Sequence, residues 1–326
     1  MTNLRLEFPA PARVTPQRRL PPTASVVICV FTERRWNDIL AALTSVRSQH
    51  RRPEEIIVVV DHNDALLQRS RDFFTNVTVL ANRGARGLSG ARNTGVHVAS
   101  GDVVVFLDDD ARAHPQWLER LLIPYADPAV QGVGGLVVAD WPTDRPGWFP
   151  PEFDWVVGCS YVGLPTSRHP IRNPIGAAMS VRRSAFAQAG GFTDGVGRVG
   201  DNTSGCDETE FFIRLRRKLP DASVVYEPRA IVDHRVTPER TSFAYFRRRC
   251  YAEGSSTALV ARMVGSREAL STERRYVRRT LPRAVAGNLR KPGQWPRAGA
   301  LMFGLVVTAA GYVRRRSIFS ILDITA

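Results

Sequence analysis

An α/β fold, with a mainly parallel sheet flanked by helices and a helical, basic and apolar tail at its C-terminal side, is what the sequence predicts. Three observations carry that expectation. From Ser25 onward, short apolar runs alternate with stretches of helical spacing. Hydroxyl and acidic residues stand at the ends of several of these runs, which is where a parallel sheet presents its ligands. The surplus of positive charge sits late in the chain, beside an uncharged apolar stretch.

Taken in order, residues 25–31 read as the first strand, 36–48 as a helix, 55–60 as a second strand ending at Asp61, and 77–80 as a short third strand. The loop 82–90 is rich in glycine and leads into a helix over about 91–99. Such a loop offers backbone N–H groups to an anion, and Arg92 adds charge against a pyrophosphate. The competing reading is that Ser89 caps the helix while Arg92 faces solvent. Residues 103–107 form the next strand, which carries Asp108-Asp109-Asp110 out of the sheet. Crowded carboxylates repel one another unless a cation or protons compensate, so the triplet suits Mg2+ or Mn2+ bridging substrate phosphates; turn and cap formation is the plainer alternative.

A chain of 326 residues with 44% hydrophobic content accommodates one large α/β domain with an appendage. The expected division is a disordered segment over 1–22, the α/β domain over 23–240 and a helical, basic region over 241–326. The formal charge is +14, and between Arg267 and Arg316 twelve Arg or Lys face only Glu268 and Glu273. Cys29, Cys159, Cys206 and Cys250 are scattered, without a Cys-x-x-Cys pair, which points to a reducing compartment and against structural zinc. The polar, proline-rich N-terminus lacks the apolar core of a signal peptide, so a cytoplasmic location is expected. No Gly-x-Gly-x-x-Gly fingerprint supports a dinucleotide oxidoreductase.

Several stretches resemble one family. Ser25-Val26-Val27-Ile28-Cys29-Val30-Phe31-Thr32 is similar to the opening strand of family 2 glycosyltransferases with the GT-A fold, and Ile56-Ile57-Val58-Val59-Val60-Asp61 to their second. Gly90-Ala91-Arg92-Asn93-Thr94-Gly95, then Ser100-Gly101-Asp102 and the strand into Asp108-Asp109-Asp110, is the most recognisable match. The resemblance implies a nucleotide-binding GT-A domain in which Thr32, Glu33 and Asp61 hold the base and ribose, with Arg92, Asp108 and Asp109 also on the nucleotide-sugar. His62 stands where the family often has a second acid after that strand.

Gly205-Cys206-Asp207-Glu208-Thr209-Glu210 resembles the family's acidic pair near the acceptor, one member of which is the base. Glu208 takes that role if the pair maps onto Asp207-Glu208, with Asp207 the alternative, because Asp is commoner there. The resemblance further implies metal ligation by Asp108 and Asp110, joined by His234, which falls where some relatives present a histidine to Mg2+ or Mn2+. Arg172-Asn173-Pro174-Ile175-Gly176-Ala177 resembles a sugar-binding floor; Trp141, Trp148, Phe149 and Trp155 precede it and read as core or sugar contacts.

The implied function is an inverting transfer of a sugar from a nucleotide-sugar donor to a hydroxyl of a glycan or lipid-linked acceptor, in cell-envelope or polysaccharide assembly. The rivals are a sugar nucleotidyltransferase, which leaves Asp207-Glu208 without a task, and a basic nucleic-acid-binding protein, which ranks lower because the charge lies beside an apolar tail. Residues 298–313 are uncharged and bounded by Arg297 and Arg314-Arg315-Arg316. Sixteen helical residues span roughly 24 Å, short of a ~30 Å hydrocarbon core. The segment therefore reads as one lying at an anionic membrane surface, peripheral at the inner face, or equally as a buried hairpin helix.

Overall fold

The computed structural model describes residues 21–200 and 205–324, so the expected segment 1–22 lies outside the described residues except for Pro21 and Pro22. In the first half the elements are β1 (Ala24–Val30), α1 (Trp36–Arg47), β2 (Glu55–Val60), α2 (Asp64–Phe73), β3 (Thr78–Ala81), α3 (Leu88–Val98) and β4 (Val103–Asp108). The strands β1, β2, β3 and β4 all pair in parallel. Their near-continuous apolar runs follow from burial on both faces, since α1 and α2 cover one side and α3 the other.

Beyond β4 the sheet is mixed. After β5 (Ala111–Ala113) and α4 (Trp117–Leu122) come β6 (Val130–Asp140), the two-residue β7 (His169–Pro170), β8 (Ala178–Arg182), α5 (Arg183–Ala189), α6 (Asp207–Lys218) and the long β9 (Ser223–Arg235). Strand order is β3-β2-β1-β4-β8-β6-β9-β5, with β7 on β9. Here β8 runs antiparallel to both β4 and β6, while β6 and β9 are parallel. Insertion of β8 beside β4 ends the parallel half and leaves the carboxyl end of β4 at the centre of the sheet's mouth.

The C-terminal region is helical: α7 (Phe243–Val264), α8 (Ser266–Ala269), α9 (Ser271–Arg275), α10 (Leu281–Leu289) and α11 (Trp295–Ile324). Ser242 caps α7 by accepting from Tyr245 N at 3.2 Å. Glycine decides how α7 meets α11, because a Cβ on Gly254 would come within 1.9 Å of Thr308 O and one on Gly311 within 2.1 Å of Tyr251 O. The two backbones touch there. Trp148 and Phe149 pack on Phe246 of α7, with ring centroids 5.5 Å apart in each case, so these aromatics join the α/β domain to the helices.

The apolar segment 298–313 is part of a helix of 30 residues, not sixteen, because nothing in Arg314-Arg315-Arg316 or the residues after it breaks the helix. By length and composition Pro292–Phe319 suffices to cross a membrane. Its glycine side is committed to α7, which leaves an apolar face on one side only.

Candidate active site

The acidic triplet is split by its own turn. Asp108 ends β4, and the chain reverses through Asp109 and Asp110 into β5, which pairs antiparallel with β9 so that Ala111 stands opposite His234. Arg235 N donates to Asp110 O at 2.9 Å, fixing that register. His234 Nε2 then lies 3.1 Å from Asp110 Oδ1, and one ligand atom each from Asp108, Asp110 and His234 fall within 4.8 Å of one another. Asp109, which is not part of that group, pairs with Arg35 Nη1 at 2.6 Å.

Burial opposes charge on Asp110, yet the adjacent imidazolium of His234 and then Arg35 and Arg240 hold its carboxyl well below the usual range. Burial likewise opposes the His234 cation, but Asp110, by charge and hydrogen bond, pushes it up to about 10. Asp109 rises to about 7: burial and the neighbouring carboxylates outweigh Arg35. Asp109 Oδ2 and Asp110 Oδ2 are buried without a hydrogen bond. Asp110, with an oxygen free of hydrogen bonds, joins Asp108 and the His234 imidazole in a donor set that fits Mn2+ or Mg2+.

The second acidic pair opens α6. Cys206, buried and left-handed at φ 74°, ends the preceding segment and turns the chain so that Asp207 and Glu208 occupy the first helical turn. Arg92 joins the two acidic groups. It is 2% exposed, pairs through Nη1 with Asp207 Oδ2, lies 3.7 Å from Asp108 Oδ1 through Nη2, and donates to Gly176 O at 3.1 Å. Gly176 is small for this reason, since a Cβ there would sit 2.9 Å from Arg92 Nη2. Burial first, and then the charge of Asp207, raises Glu208 to about 8, a value suited to a base near neutral pH.

The helix start of α3 is occupied by protein. Gly87 N donates to Asp61 Oδ2 at 2.9 Å, Leu88 N to Arg198 O at 2.9 Å, and Ser89 Oγ to Val196 O at 2.6 Å. Those N–H groups are therefore not free for an anion, and Ser89 does not cap its helix. Asp61 also accepts from Asn82 Nδ2 at 2.7 Å, which ties the β2 end to the glycine loop. Thr32 caps the single turn 33–35 by accepting from Arg34 N, and Glu33 is exposed at the end of β1.

Further cations were invisible to sequence reasoning. Arg35 Nη1 bridges Asp109 and Asp110, the latter at 3.1 Å, and Arg240 Nη2 lies 3.4 Å from Asp110 Oδ2. Arg198 is pushed down by burial first and then by the charges of Arg240 and Arg249. Arg35, just beyond β1, and Arg249, within the basic run Arg247-Arg248-Arg249 that reads as a lipid-headgroup patch, offered local signals. A cavity of about 750 Å³ collects Arg92, Asp108, Asp207, Glu208 and His234 on one wall and side chains of α7, α9, α10 and α11 on the other. A larger depression of about 1270 Å³, around His50, Asp102 and Arg183, contains none of these groups.

Residues 25–190 match the family model for glycosyl transferase family 2. A glucosyl-dolichyl phosphate glucuronosyltransferase of Haloferax volcanii is 35% identical over 236 residues, 71% of this chain and 75% of that protein. Among solved structures, a mannosyltransferase from Pyrobaculum calidifontis in complex with GDP-Man and Mn2+ superposes with a TM-score of 0.56 at 18% identity, covering 91% of this chain and 90% of that one. GalNAc-T7 with UDP, GalNAc and Mn2+ gives 0.52 at 18% identity over 73% of this chain and 48% of its own length. At such identity the two structural likenesses establish the fold, a GT-A-type sheet, and nothing finer.

Proposed function

The chain belongs to glycosyl transferase family 2, and on that premise we propose that it is an inverting, divalent-metal-dependent transferase that moves a sugar from a nucleoside-diphosphate donor to an acceptor hydroxyl. One observation carries the reading: Asp108 and His234, two of the three grouped metal-ligand candidates, line one cavity with the Asp207-Glu208 pair, and the buried guanidinium of Arg92 bridges Asp108 and Asp207. A metal end and a base end within one enclosure is what a direct displacement needs.

In the proposed step Glu208 takes the proton of the acceptor hydroxyl while that oxygen bonds to the anomeric carbon from the face opposite the nucleotide. The bond from the anomeric carbon to the diphosphate oxygen breaks, its electron pair leaves with the diphosphate, and the configuration inverts. Asp108, Asp110 and His234 are the residues to hold Mn2+ or Mg2+, which when bound offsets charge developing on the leaving diphosphate. Arg198, Arg240 and Arg249 add positive charge on that side. Arg92 pairs with Asp207, and Glu208, raised to about 8, serves as the base. Thr32, Glu33 and Asp61 take the base and ribose, and Asp109 supports Arg35.

The Haloferax relative is named for a dolichyl phosphate glycoside, and a lipid-linked acceptor at the inner face of a membrane extends that likeness to this chain. Residues 23–240 form the catalytic domain in this reading and 241–326 the acceptor-side region. A sugar nucleotidyltransferase remains the weaker reading, because it gives Glu208 no task. The test is a screen of UDP- and GDP-sugars for donor turnover with and without Mn2+, followed by NMR of the product anomer. Turnover that needs metal and inverts the anomer is expected; a retained anomer or full turnover in chelator refutes the mechanism.

A further inference from the structure

The cavity runs past the acidic wall into the C-terminal helices, where its lining changes from charged to apolar. Leu305, Ala309 and Val313 of α11 all line it. Spaced by four residues, they form a single stripe along the helix. Leu305 is partly buried, Ala309 is exposed and Val313 is 61% exposed, so this arm opens at the outer face of α11. That face continues with Met302 and Val306, 50% and 66% exposed, and is followed by Arg314-Arg315-Arg316. An apolar face edged by arginines is suited to a lipid surface.

Two guanidinia line the same cavity as the base and the apolar arm. Arg172 chelates Glu273 of α9 through both nitrogens, at 2.6 and 2.8 Å, and Arg216 of α6 also lines the cavity. Among the described residues no carboxylate lies within ion-pair distance of Arg216, whose Nη1 reaches only Ile171 O at 3.4 Å. Burial first, and then the charge of Arg172, pushes Arg216 down, so an anion beside it would relieve both. Arg216 follows Glu208 by eight residues of α6, about 12 Å at helical rise. That is roughly the reach of one sugar ring with its phosphoester.

From this arrangement we infer that the helical half of the cavity binds the acceptor as a long-chain lipid phosphate glycoside, and the inference rests on the transferase reading above. The sugar hydroxyl meets Glu208, the phosphate sits at Arg216, and the hydrocarbon leaves along Leu305, Ala309 and Val313 toward a membrane. The arm is a built feature: Arg172 with Glu273, and Tyr276 Oη donating to Glu152 O at 2.5 Å, fasten the helices over the site.

Farnesyl phosphate, farnesol and inorganic phosphate, each titrated calorimetrically into the full chain, test this, with a thermal shift by Mn2+ plus UDP or GDP as an independent readout of the donor end. Farnesyl phosphate should bind at least about tenfold more tightly than farnesol or phosphate. Arg216→Gln should reduce that preference. Ala309→Trp, at an exposed helix position, should weaken farnesyl phosphate by about tenfold or more while the nucleotide shift persists, and Val306→Ser, outside the cavity, should not weaken it. Equal binding of farnesol and farnesyl phosphate, or unaltered binding by Ala309→Trp, overturns the inference. A normal nucleotide shift without farnesyl phosphate binding sinks this site alone; absence of the nucleotide shift sinks the transferase reading beneath it.

Discussion

The two walls of the cavity are built by opposite means. On the sheet side, strand ends deliver charged groups that hold one another in place: Asp110 is ringed by His234, Arg35 and Arg240, and Asp207 by Arg92. On the helical side, α7 and α11 meet backbone to backbone at Gly254 and Gly311, and peripheral polar ties such as Arg172–Glu273, Arg217–Glu268 and Tyr276–Glu152 O fasten them to the sheet domain. The difference teaches where each kind of substitution acts. Changes on the charged wall should alter chemistry and spare the fold, whereas changes on the helical wall should alter packing and acceptor access first.

Removing the base is the sharpest way to test that contrast. Glu208→Gln is expected to cost about 10²–10⁴-fold in transfer rate with a thermal midpoint near that of the parent. If Asp207→Asn shows the rate loss and Glu208→Gln does not, the base is Asp207. The titration of Glu208 provides a second readout. Its carboxyl rises from 4.5 to about 8 on folding, so the native chain keeps a proton that the unfolded chain releases. Its contribution to stability is therefore present at low pH and is lost as pH climbs from about 4.5 to about 8, while kcat/KM rises over the same window. Glu208→Gln should flatten this part of the denaturant-measured stability profile.

The helical wall should answer in the opposite way. Gly254→Val drives a side chain into the backbone of α11 and should cost about 1–3 kcal/mol in chemical denaturation, with nucleotide affinity little changed. A loss of nucleotide affinity larger than the loss of stability would break the division between walls. A smaller effect is expected where the walls are tied together. A double-mutant cycle on Arg172→Ala and Glu273→Ala should give a coupling of about 1 kcal/mol, limited because the Glu273 side chain is 37% exposed. A coupling of zero would mean that α9 is held by packing alone.

The same contrast explains what could be read from the sequence. Asp108, Asp110, Asp207 and Glu208 were legible because each stands at a strand end or helix start that apolar runs mark locally. The first four strands and the family likeness followed from the same runs. Arg92 was assigned to a pyrophosphate or to solvent, yet its nearest acidic partner is Asp207, 115 residues away, and no local pattern records such a pairing. Arg198 and Arg240 escaped notice for the same reason, while Arg249 was visible only as part of the basic run Arg247-Arg248-Arg249, which read as a lipid-headgroup patch. The helix N–H groups expected to be free were taken by Asp61 and Arg198 O, a consequence of the segment 196–199 crossing over α3. Gly311 was seen as part of an apolar run, but its task is close approach to the α7 backbone at Tyr251, which only the partner helix reveals.

The central claim is that Asp108, Asp110 and His234 together recruit a divalent cation that engages the diphosphate of the donor. Calorimetric titration of Mn2+ into the parent chain and into Asp110→Ala, each with UDP or GDP present, tests it most directly. Saturable uptake of one ion per chain by the parent, lost in Asp110→Ala while circular dichroism and thermal midpoint show it folded, is the predicted result. Equal uptake by both proteins, or none by the parent with either nucleotide, would contradict the account.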